Sequence, residues 1–392
     1  MDRTAEEFIA IVRASLGGAP LPAGFAVGDG AALFSLASRQ ELAHLLHDPL
    51  AAAGALDALP EEIRTAIGEA RLRAIQRVAL LTHEQGAITA VLDRLAVPYV
   101  LLKGAALREL WPAAWMRTSC DLDILIHPED APRAAEALTA ELGYRVKSLG
   151  HHDHSLYAPS GVHLELHFSL LLNIPADRVL CRVWETAEPS GEGSRYIPEP
   201  ALISTYLLAH HASHLLAGGG GLRPVLDFWY ALRAFDPDAH LLDAYADSAG
   251  LLTFAFAVTD VGRFVFEGAP LAEVPAALCD WLLAGGIYGN ADRRAALRKS
   301  GSGGRPARRA RRRYVIGRLF PSRSALSVSY PVLRRAPVLL PFVWCHRWLS
   351  LLFGGRLRVT ARRLRAAANA DPAATRAAAD LLAALDLTLP DA

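Results

Sequence analysis

Two aspartates at alternate positions follow a lysine-glycine turn, and residues of these types suit metal and phosphate chemistry. An apolar strand leads into Lys103-Gly104, and a second apolar strand carries Asp121 and Asp123. Because the side chains of a strand alternate between its faces, both carboxylates point the same way, while the apolar residues between and after them point into the core. Two such carboxylates repel each other unless a cation lies between them. A divalent metal such as Mg²⁺, which takes oxygen ligands from carboxylates and phosphates, is the expected cation.

A later segment supplies a candidate third carboxylate. Residues 162–168 alternate strictly, with apolar residues facing one way and His163, Glu165 and His167 facing the other. Two-metal phosphoryl-transfer sites need several acids close together, so Glu165 is the third candidate ligand, with an ordinary exposed strand acid as the alternative. His167 either contributes to an acceptor pocket or is a hydrogen-bonded neighbour of a carboxylate.

The turn itself is a candidate phosphate-binding element. Gly104 permits close backbone approach to a phosphate, and the helix that follows directs its N-terminus to the same place. Lys103 and Arg117 are the local cations that could bear the charge developing during phosphoryl transfer. For Arg117 the alternative is a structural ion pair with Asp121.

Hydrophobic periodicity gives the elements that must position these residues. The predicted elements are a helix over 76–96, a strand over 99–102, a short helix over 105–110, a strand over 122–126, a helix from Pro128 to Leu142 that Gly143 ends, and strands over 144–147, 154–158 and 162–168. The last two strands are joined by Pro159-Ser160-Gly161, which is typical of a hairpin. Strands in one region and helices elsewhere predict an α+β fold.

The chain is long enough for several regions with cores of their own. Its 392 residues are rich in alanine and leucine, which favours helices. We expect an N-terminal helical region over 1–75, an αβ core over 76–190 and a C-terminal helical region over 191–392. The last region contains a basic, glycine-rich segment near 293–313, whose arginines could also contact an acidic acceptor.

Charge and cysteine usage narrow the class of protein. A net charge of +1 gives no overall attraction to nucleic acid or membrane, although an RNA acceptor would predict salt-dependent binding through the basic segment. The four cysteines form no metal-binding spacing, and the acidic N-terminus does not resemble a signal peptide, so we expect a cytoplasmic protein. Prolines and charged residues interrupt the apolar stretch 336–353, so we expect no transmembrane segment there; a buried helix pair or peripheral membrane contact are the two readings.

Two predicted helices after the core carry further candidates. The first holds His210, His211 and His214, and the second holds Asp227. At helical spacing these histidines could hold a metal or line an acceptor pocket, and the alternative is a helix surface or interface. Asp227 belongs to the same candidate pocket, or fixes one of the histidines.

These motifs resemble an uncharacterised nucleotidyltransferase family of the polymerase-β-like superfamily. The resemblance covers about residues 80–235 and rests on Lys103-Gly104, Trp111-Pro112, Arg117, the segment from Asp121 to Ile126, Leu164-Glu165-Leu166-His167, His210, His214 and Asp227. It implies a small mixed sheet flanked by helices and transfer of a nucleotidyl group from an NTP with Mg²⁺, two ions being expected and Mn²⁺ an alternative. It also implies catalytic, metal-binding roles for Asp121, Asp123 and Glu165.

The resemblance leaves the acceptor open and includes one departure. The broader superfamily has Gly-Ser at the turn, whereas Gly104 is followed by Ala105, so Lys103 would replace a hydroxyl contact to the triphosphate. The acceptor is expected to be a small molecule, a peptide or a protein. The alternatives are an NTP-binding pseudo-enzyme and a toxin-antitoxin or tailoring enzyme that modifies a protein or peptide.

Overall fold

The computed structural model describes residues 1–150, 153–170, 175–289, 293–294, 296–297, 320, 326, 336–353 and 371–388. The fold is α+β, as predicted: a five-stranded mixed sheet with helices before and after it. The chain divides into two compact units, one formed by Met1–Leu215 and Gly219–Tyr288, the other by Leu216–Gly218 and Gly289–Ala392. The predicted division into three regions stays a prediction; helix α4, Glu61–Arg94, runs across its first boundary.

Helices form most of the first unit. Up to residue 289 they are α1 (Arg3–Ser15), α2 (Gly30–Arg39), α3 (His47–Ala52), α4 (Glu61–Arg94), α5 (Lys103–Leu107), α6 (Ala131–Leu142), α7 (Asp177–Leu180), α8 (Val183–Thr186), α9 (Pro200–Leu216), α10 (Arg223–Phe235), α11 (Ala239–Ser248), α12 (Leu252–Glu267) and α13 (Glu273–Gly285). Three 3₁₀ turns lie among them, at Ala43–Leu46, Arg108–Leu110 and Ala114–Met116.

The main sheet brings together strands that are far apart in the chain. Its strands are β1 (Tyr99–Leu102), β2 (Asp121–Ile126), β3 (Arg145–Leu149), β4 (Asp153–Tyr157) and β5 (His163–His167), in the order β1-β2-β5-β4-β3. Strands β2 and β5 are parallel neighbours, and the other pairs are antiparallel. A small second sheet pairs β6 (Glu188–Pro189) with β7 (Tyr196–Ile197). The predicted hairpin is therefore present as β4 and β5, and β5 lies beside β2, the strand that carries the two aspartates.

One face of the main sheet is packed and the other is polar. Leu122, Ile124, Leu164 and Leu166 are fully buried in one cluster with apolar residues of α4 and α6. The alternation predicted for β5 is confirmed, because its apolar residues are buried and its polar residues are partly exposed. The packed face fixes the strand register, and the register in turn fixes which polar residues meet on the other face.

The helix that links β2 to the hairpin begins later than predicted. It starts at Ala131, not at Pro128, with Pro132 in its first turn, where the missing amide hydrogen costs nothing. Gly143 ends it as predicted, with φ of 70°, a left-handed conformation that glycine adopts without strain.

The second unit is described only in part. It contains a 3₁₀ turn at Pro337–Leu339, helix α14 (Leu340–Phe353) and helix α15 (Pro372–Ala384). Among the described residues, none of the helices combines the length and the apolar character needed to cross a membrane. The arginine-rich part of the segment near 293–313 lies outside the described residues.

Candidate active site

The polar face of the sheet arranges the candidate residues in rows across neighbouring strands. In one row, Asp121 of β2 is paired in register with His163 of β5. In the next row, Asp123 is paired with Glu165, and Leu102 at the end of β1 lies on the other side of Asp123. Neighbouring strands lie about 4.8 Å apart, so the side chains of each row are in contact range. The structure thus brings together the three carboxylates named from the sequence.

Asp123 is the centre of the charged network. Its Oδ1 accepts a hydrogen bond from Lys103 Nζ at 2.9 Å and another from His167 Nε2 at 2.8 Å. The Asp123 side chain is almost fully buried. Burial disfavours a charged carboxylate, but Lys103 and His167 outweigh that cost and hold the pKa of Asp123 below its ordinary value. Asp123 is therefore ionised and already neutralised by protein cations.

The two cations beside Asp123 are stabilised by the same contacts. Burial disfavours the charge of Lys103, but its interactions with Tyr206 and then with the carboxylate of Asp123 raise the lysine pKa above its ordinary value. Burial also opposes the charge of His167, whereas its hydrogen bonds to Asp123 and Glu165 raise its pKa to about 9. His167 is thus a hydrogen-bonded neighbour of carboxylates, one of the two interpretations given from the sequence. Its role in an acceptor pocket stays a prediction.

Asp121 and Glu165 differ from Asp123 in their surroundings. Among the described residues, the Asp121 carboxylate forms no hydrogen bond or ion pair, and burial together with the charge of Asp123 raises its pKa. Glu165 Oε2 lies 3.3 Å from His167 Nε2, and this hydrogen bond lowers the pKa of Glu165. Of the three carboxylates, Asp121 is therefore the one that no cationic side chain of the described residues contacts directly.

The lysine-glycine turn has a strained backbone and no spare room. Lys103 has φ of 42°, a left-handed conformation that is uncommon for residues other than glycine. A Cβ added to Gly104 would lie 2.9 Å from both Cβ and Oγ of Ser119, so glycine is required there by close packing. Ser119 Oγ donates to the backbone carbonyl of Asp121 at 2.9 Å. A hydroxyl group thus lies against the turn, although it comes from Ser119 and not from the residue after Gly104.

Arg117 and Asp227 form a buried ion pair. Arg117 Nε and Nη2 donate to the two oxygens of Asp227 at 2.6 and 2.8 Å, and Trp111 Nε1 donates to Oδ1 at 3.2 Å. Burial opposes the charge of Arg117, but Asp227 raises its pKa above the ordinary value. The alternative reading of Arg117 anticipated an ion pair with Asp121, and the observed partner is Asp227. Nη1 of Arg117 lies 3.6 Å from the position of a Cβ on Gly104, and the predicted nucleotide role of Arg117 stays a prediction.

Helix α9 presents a second group of side chains toward Lys103. The hydroxyl of Tyr206 interacts with Lys103, and burial raises the Tyr206 pKa to about 12. One turn further, His210 and His214 face each other with 3.2 Å between their Nε2 atoms. Burial, followed by the charge of Lys103, lowers the pKa of both histidines, so they are neutral at pH 7. The acceptor-pocket role of His210 and His214 stays a prediction; Asp227 contacts Arg117 and Trp111 instead of these histidines.

The donor atoms suit a divalent cation. Two groups of side chains each place three ligand atoms within 4.8 Å of one another, and they share one carboxylate. The groups are Asp121, His163 and Glu165, and Asp123, Glu165 and His167. Carboxylate oxygens and imidazole nitrogens are ordinary ligands of divalent metals. The residues present therefore fit the metal that the resemblance implies.

Four side chains of the site were not singled out from the sequence as site residues. They are Ser119, Ser155, His163 and Tyr206. His163 and Tyr206 had usable signals, because His163 is two residues before Glu165 on a strand and Tyr206 is four residues before His210 on a helix. The two serines had none, since their importance depends on strand pairing and on a close approach to Gly104.

Comparison with known proteins agrees with this geometry. The family described as "Uncharacterised nucleotidyltransferase" matches residues 28–266, more than half of the chain. No curated protein and no solved structure matches the chain. The mixed sheet flanked by helices is the architecture that the sequence resemblance implied. The chain belongs to the uncharacterised nucleotidyltransferase family.

Proposed function

We propose that this protein transfers an NMP group from an NTP to an acceptor and releases pyrophosphate, with divalent metal bound by Asp121, Asp123 and Glu165. The observation that carries the proposal is the placement of these three carboxylates on two neighbouring parallel strands, with Lys103 and Gly104 directly beside them. Mg²⁺ is the general expectation, with two ions and Mn²⁺ as the alternative metal. The acceptor is a small molecule, a peptide or a protein.

The reaction is a displacement at the α-phosphorus of the NTP. An oxygen of the acceptor forms a bond to that phosphorus, the bond to the β-phosphate bridging oxygen breaks, and pyrophosphate leaves. Bound metal supplies electrostatic stabilisation of the charge that develops on the phosphate oxygens.

Glu165 is the residue that takes the acceptor's proton. The hydrogen bond from His167 lowers the pKa of Glu165, so its carboxylate is ionised. The side chain is also partly exposed, so an incoming hydroxyl can reach it and give up its proton. Lys103 and the backbone at Gly104 bind the triphosphate, and Arg117 supports the turn from the side of Asp227. His210 and His214, both neutral, are proposed to line the acceptor pocket.

The test uses an isosteric change at the most buried carboxylate. Asp123→Asn keeps the shape of the side chain and removes its charge, so we expect at least about a 100-fold loss of metal-dependent pyrophosphate release, as for loss of a group that stabilises transition-state charge. The assay incubates full-length protein with each of four α-labelled NTPs and cell extract as the acceptor source. Asp57→Asn is the matched control, because Asp57 is 92% exposed and distant in sequence from the site. Full transfer by folded Asp123→Asn protein would refute the proposal.

One observation favours a second function, that of an NTP-binding protein without transfer activity. Ala105 follows Gly104 where the broader superfamily carries a hydroxyl, and Lys103 is held by Asp123. NTP binding that depends on Asp123, with no pyrophosphate release from any of the four NTPs, would favour this function. Label transferred to a macromolecule instead of a small molecule would identify a protein- or peptide-modifying enzyme.

A further inference from the structure

His163 lies beside two of the site carboxylates. Its Nδ1 is 3.9 Å from Glu165 Oε1, and the ligand atoms of Asp121, His163 and Glu165 all lie within 4.8 Å of one another. Ligands about 2.1 Å from a common ion lie up to about 4 Å apart, so small side-chain movements are enough to bring all three to one cation. Strand register places His163 directly opposite Asp121, which makes this proximity a property of the sheet.

The imidazole of His163 is oriented from outside the group. Its Nε2 lies 2.7 Å from Oγ of Ser155, and its ring stacks on Tyr157 with centroids 4.6 Å apart and planes 18° apart. Ser155 is buried, and it is paired with Glu165 in register on β4. With the proton on Nε2 donated to Ser155, the lone pair of Nδ1 faces the carboxylates. Metal-binding histidines are typically held in this way, with the second ring nitrogen bound to a fixed polar group.

Protein cations contact this group less than they contact the group around Asp123, because within the described residues His167 reaches it at Glu165 alone, at 3.3 Å. Lys103 Nζ and His167 Nε2 both contact Asp123, whereas the Asp121 carboxylate has no ion-pair partner among the described residues. A cation entering at Asp121 therefore displaces no lysine. We therefore expect a metal ion to bind first at the group formed by Asp121, His163 and Glu165.

We propose that His163 is a metal ligand, and that with Asp121 and Glu165 it makes this site prefer a first-row transition-metal dication such as Mn²⁺ over Mg²⁺. This inference rests on the proposed metal-dependent function and deepens it. Mg²⁺ strongly favours oxygen ligands, whereas imidazole nitrogen suits the transition metals. A nitrogen ligand in a site that is otherwise built of carboxylates shifts the preference toward them.

The test is direct metal binding by full-length protein without NTP, so that it does not depend on activity. Calorimetric titration gives the Mn²⁺ and Mg²⁺ affinities, and the visible absorption of Co²⁺ reports nitrogen ligation. We expect His163→Asn to weaken Mn²⁺ binding by about 10-fold or more, with a smaller effect on Mg²⁺ and a changed Co²⁺ spectrum. His83→Asn is the matched control, because His83 is exposed on α4.

A second variant keeps the ligand and removes its support. Ser155→Ala should weaken Mn²⁺ binding in the same direction, by about 10-fold, because His163 loses the group that orients it. Unchanged Mn²⁺ affinity and Co²⁺ spectrum in folded His163→Asn protein would overturn this inference and leave the nucleotidyltransferase proposal standing. A wild-type protein that binds neither Mn²⁺ nor Mg²⁺ would overturn both.

Discussion

The ion pair between Arg117 and Asp227 joins the segment before β2 to helix α10, and its removal should strongly destabilise the fold. The pair has two hydrogen bonds, at 2.6 and 2.8 Å, and both side chains are buried. Removing one partner leaves an uncompensated buried charge, which costs about 3–5 kcal/mol. We therefore expect Asp227→Asn, and separately Arg117→Met, to lower the free energy of unfolding by about that amount.

The double variant separates the charge from the packing. In Arg117→Met combined with Asp227→Asn no buried charge is left unpaired, so its loss of stability should fall short of the sum of the two single losses by at least about 2 kcal/mol. Urea unfolding followed by far-ultraviolet circular dichroism measures the stability of all three variants. Tryptophan fluorescence is less suitable, because Trp111 contacts Asp227 and would report the local change as well as unfolding. A folded double variant also tests the predicted nucleotide role of Arg117. If Arg117 binds nucleotide, this variant should bind NTP more weakly than the wild type does.

An exposed pair provides the control. Arg233 and Glu267 are 3.0 Å apart, with side chains 59% and 45% exposed, so Glu267→Gln should cost no more than about 1 kcal/mol. The reasoning would be refuted by an Asp227→Asn cost below about 1 kcal/mol, or by single-variant costs that simply add in the double variant.

Two further outcomes follow from packing and burial. Gly104→Ala places a Cβ 2.9 Å from the Ser119 side chain and should lower the free energy of unfolding by about 1–3 kcal/mol. In the control Gly86→Ala, the new Cβ lies inside helix α4 with nothing within 4 Å, so it should raise the free energy of unfolding by up to about 1 kcal/mol. Equal effects of the two changes in urea unfolding would contradict this reasoning. Burial lowers the pKa of His44 to about 4. The contribution of neutral His44 to folding is therefore fully present above the unfolded-state pKa of 6.5 and is lost as the pH falls toward 4. The free energy of unfolding should fall by about 2 kcal/mol between pH 7 and pH 5. His44→Gln should flatten that pH dependence, while the exposed His83→Gln should leave it unchanged.

The strands and their polar faces were predictable because alternation is local. Asp121, Asp123 and Glu165 each sit two residues from another polar residue, and apolar neighbours determine which way they point. The sequence could also place a strand, a turn and a second strand around Lys103 and Gly104. What made the site was the parallel pairing of β2 with β5, which alternation does not show; the resemblance implied only that Glu165 shares a role with the two aspartates.

Contacts across long separations were not predictable from residue type. The partner of Arg117 is 110 positions away, and an arginine beside two aspartates in sequence pointed to the nearer acid. Within the described parts of the chain Asp121 has no ion-pair partner, because Lys103, held by its left-handed backbone, directs its ammonium group to Asp123. A single side-chain direction at a strained residue decides which carboxylate is neutralised, and periodicity carries no information about it.

The charge of the site also gives an order to binding. Three carboxylates, Asp121, Asp123 and Glu165, face two nearby cations, Lys103 and His167, whose raised pKa values keep them protonated at pH 7. Without metal these groups therefore leave the site with no excess positive charge to attract a triphosphate. A divalent cation supplies that positive charge, so under the proposed function NTP affinity must rise with metal concentration. This requirement follows because none of the described residues provides Asp121 with a cation of its own, and it links the choice of metal at His163 to nucleotide binding.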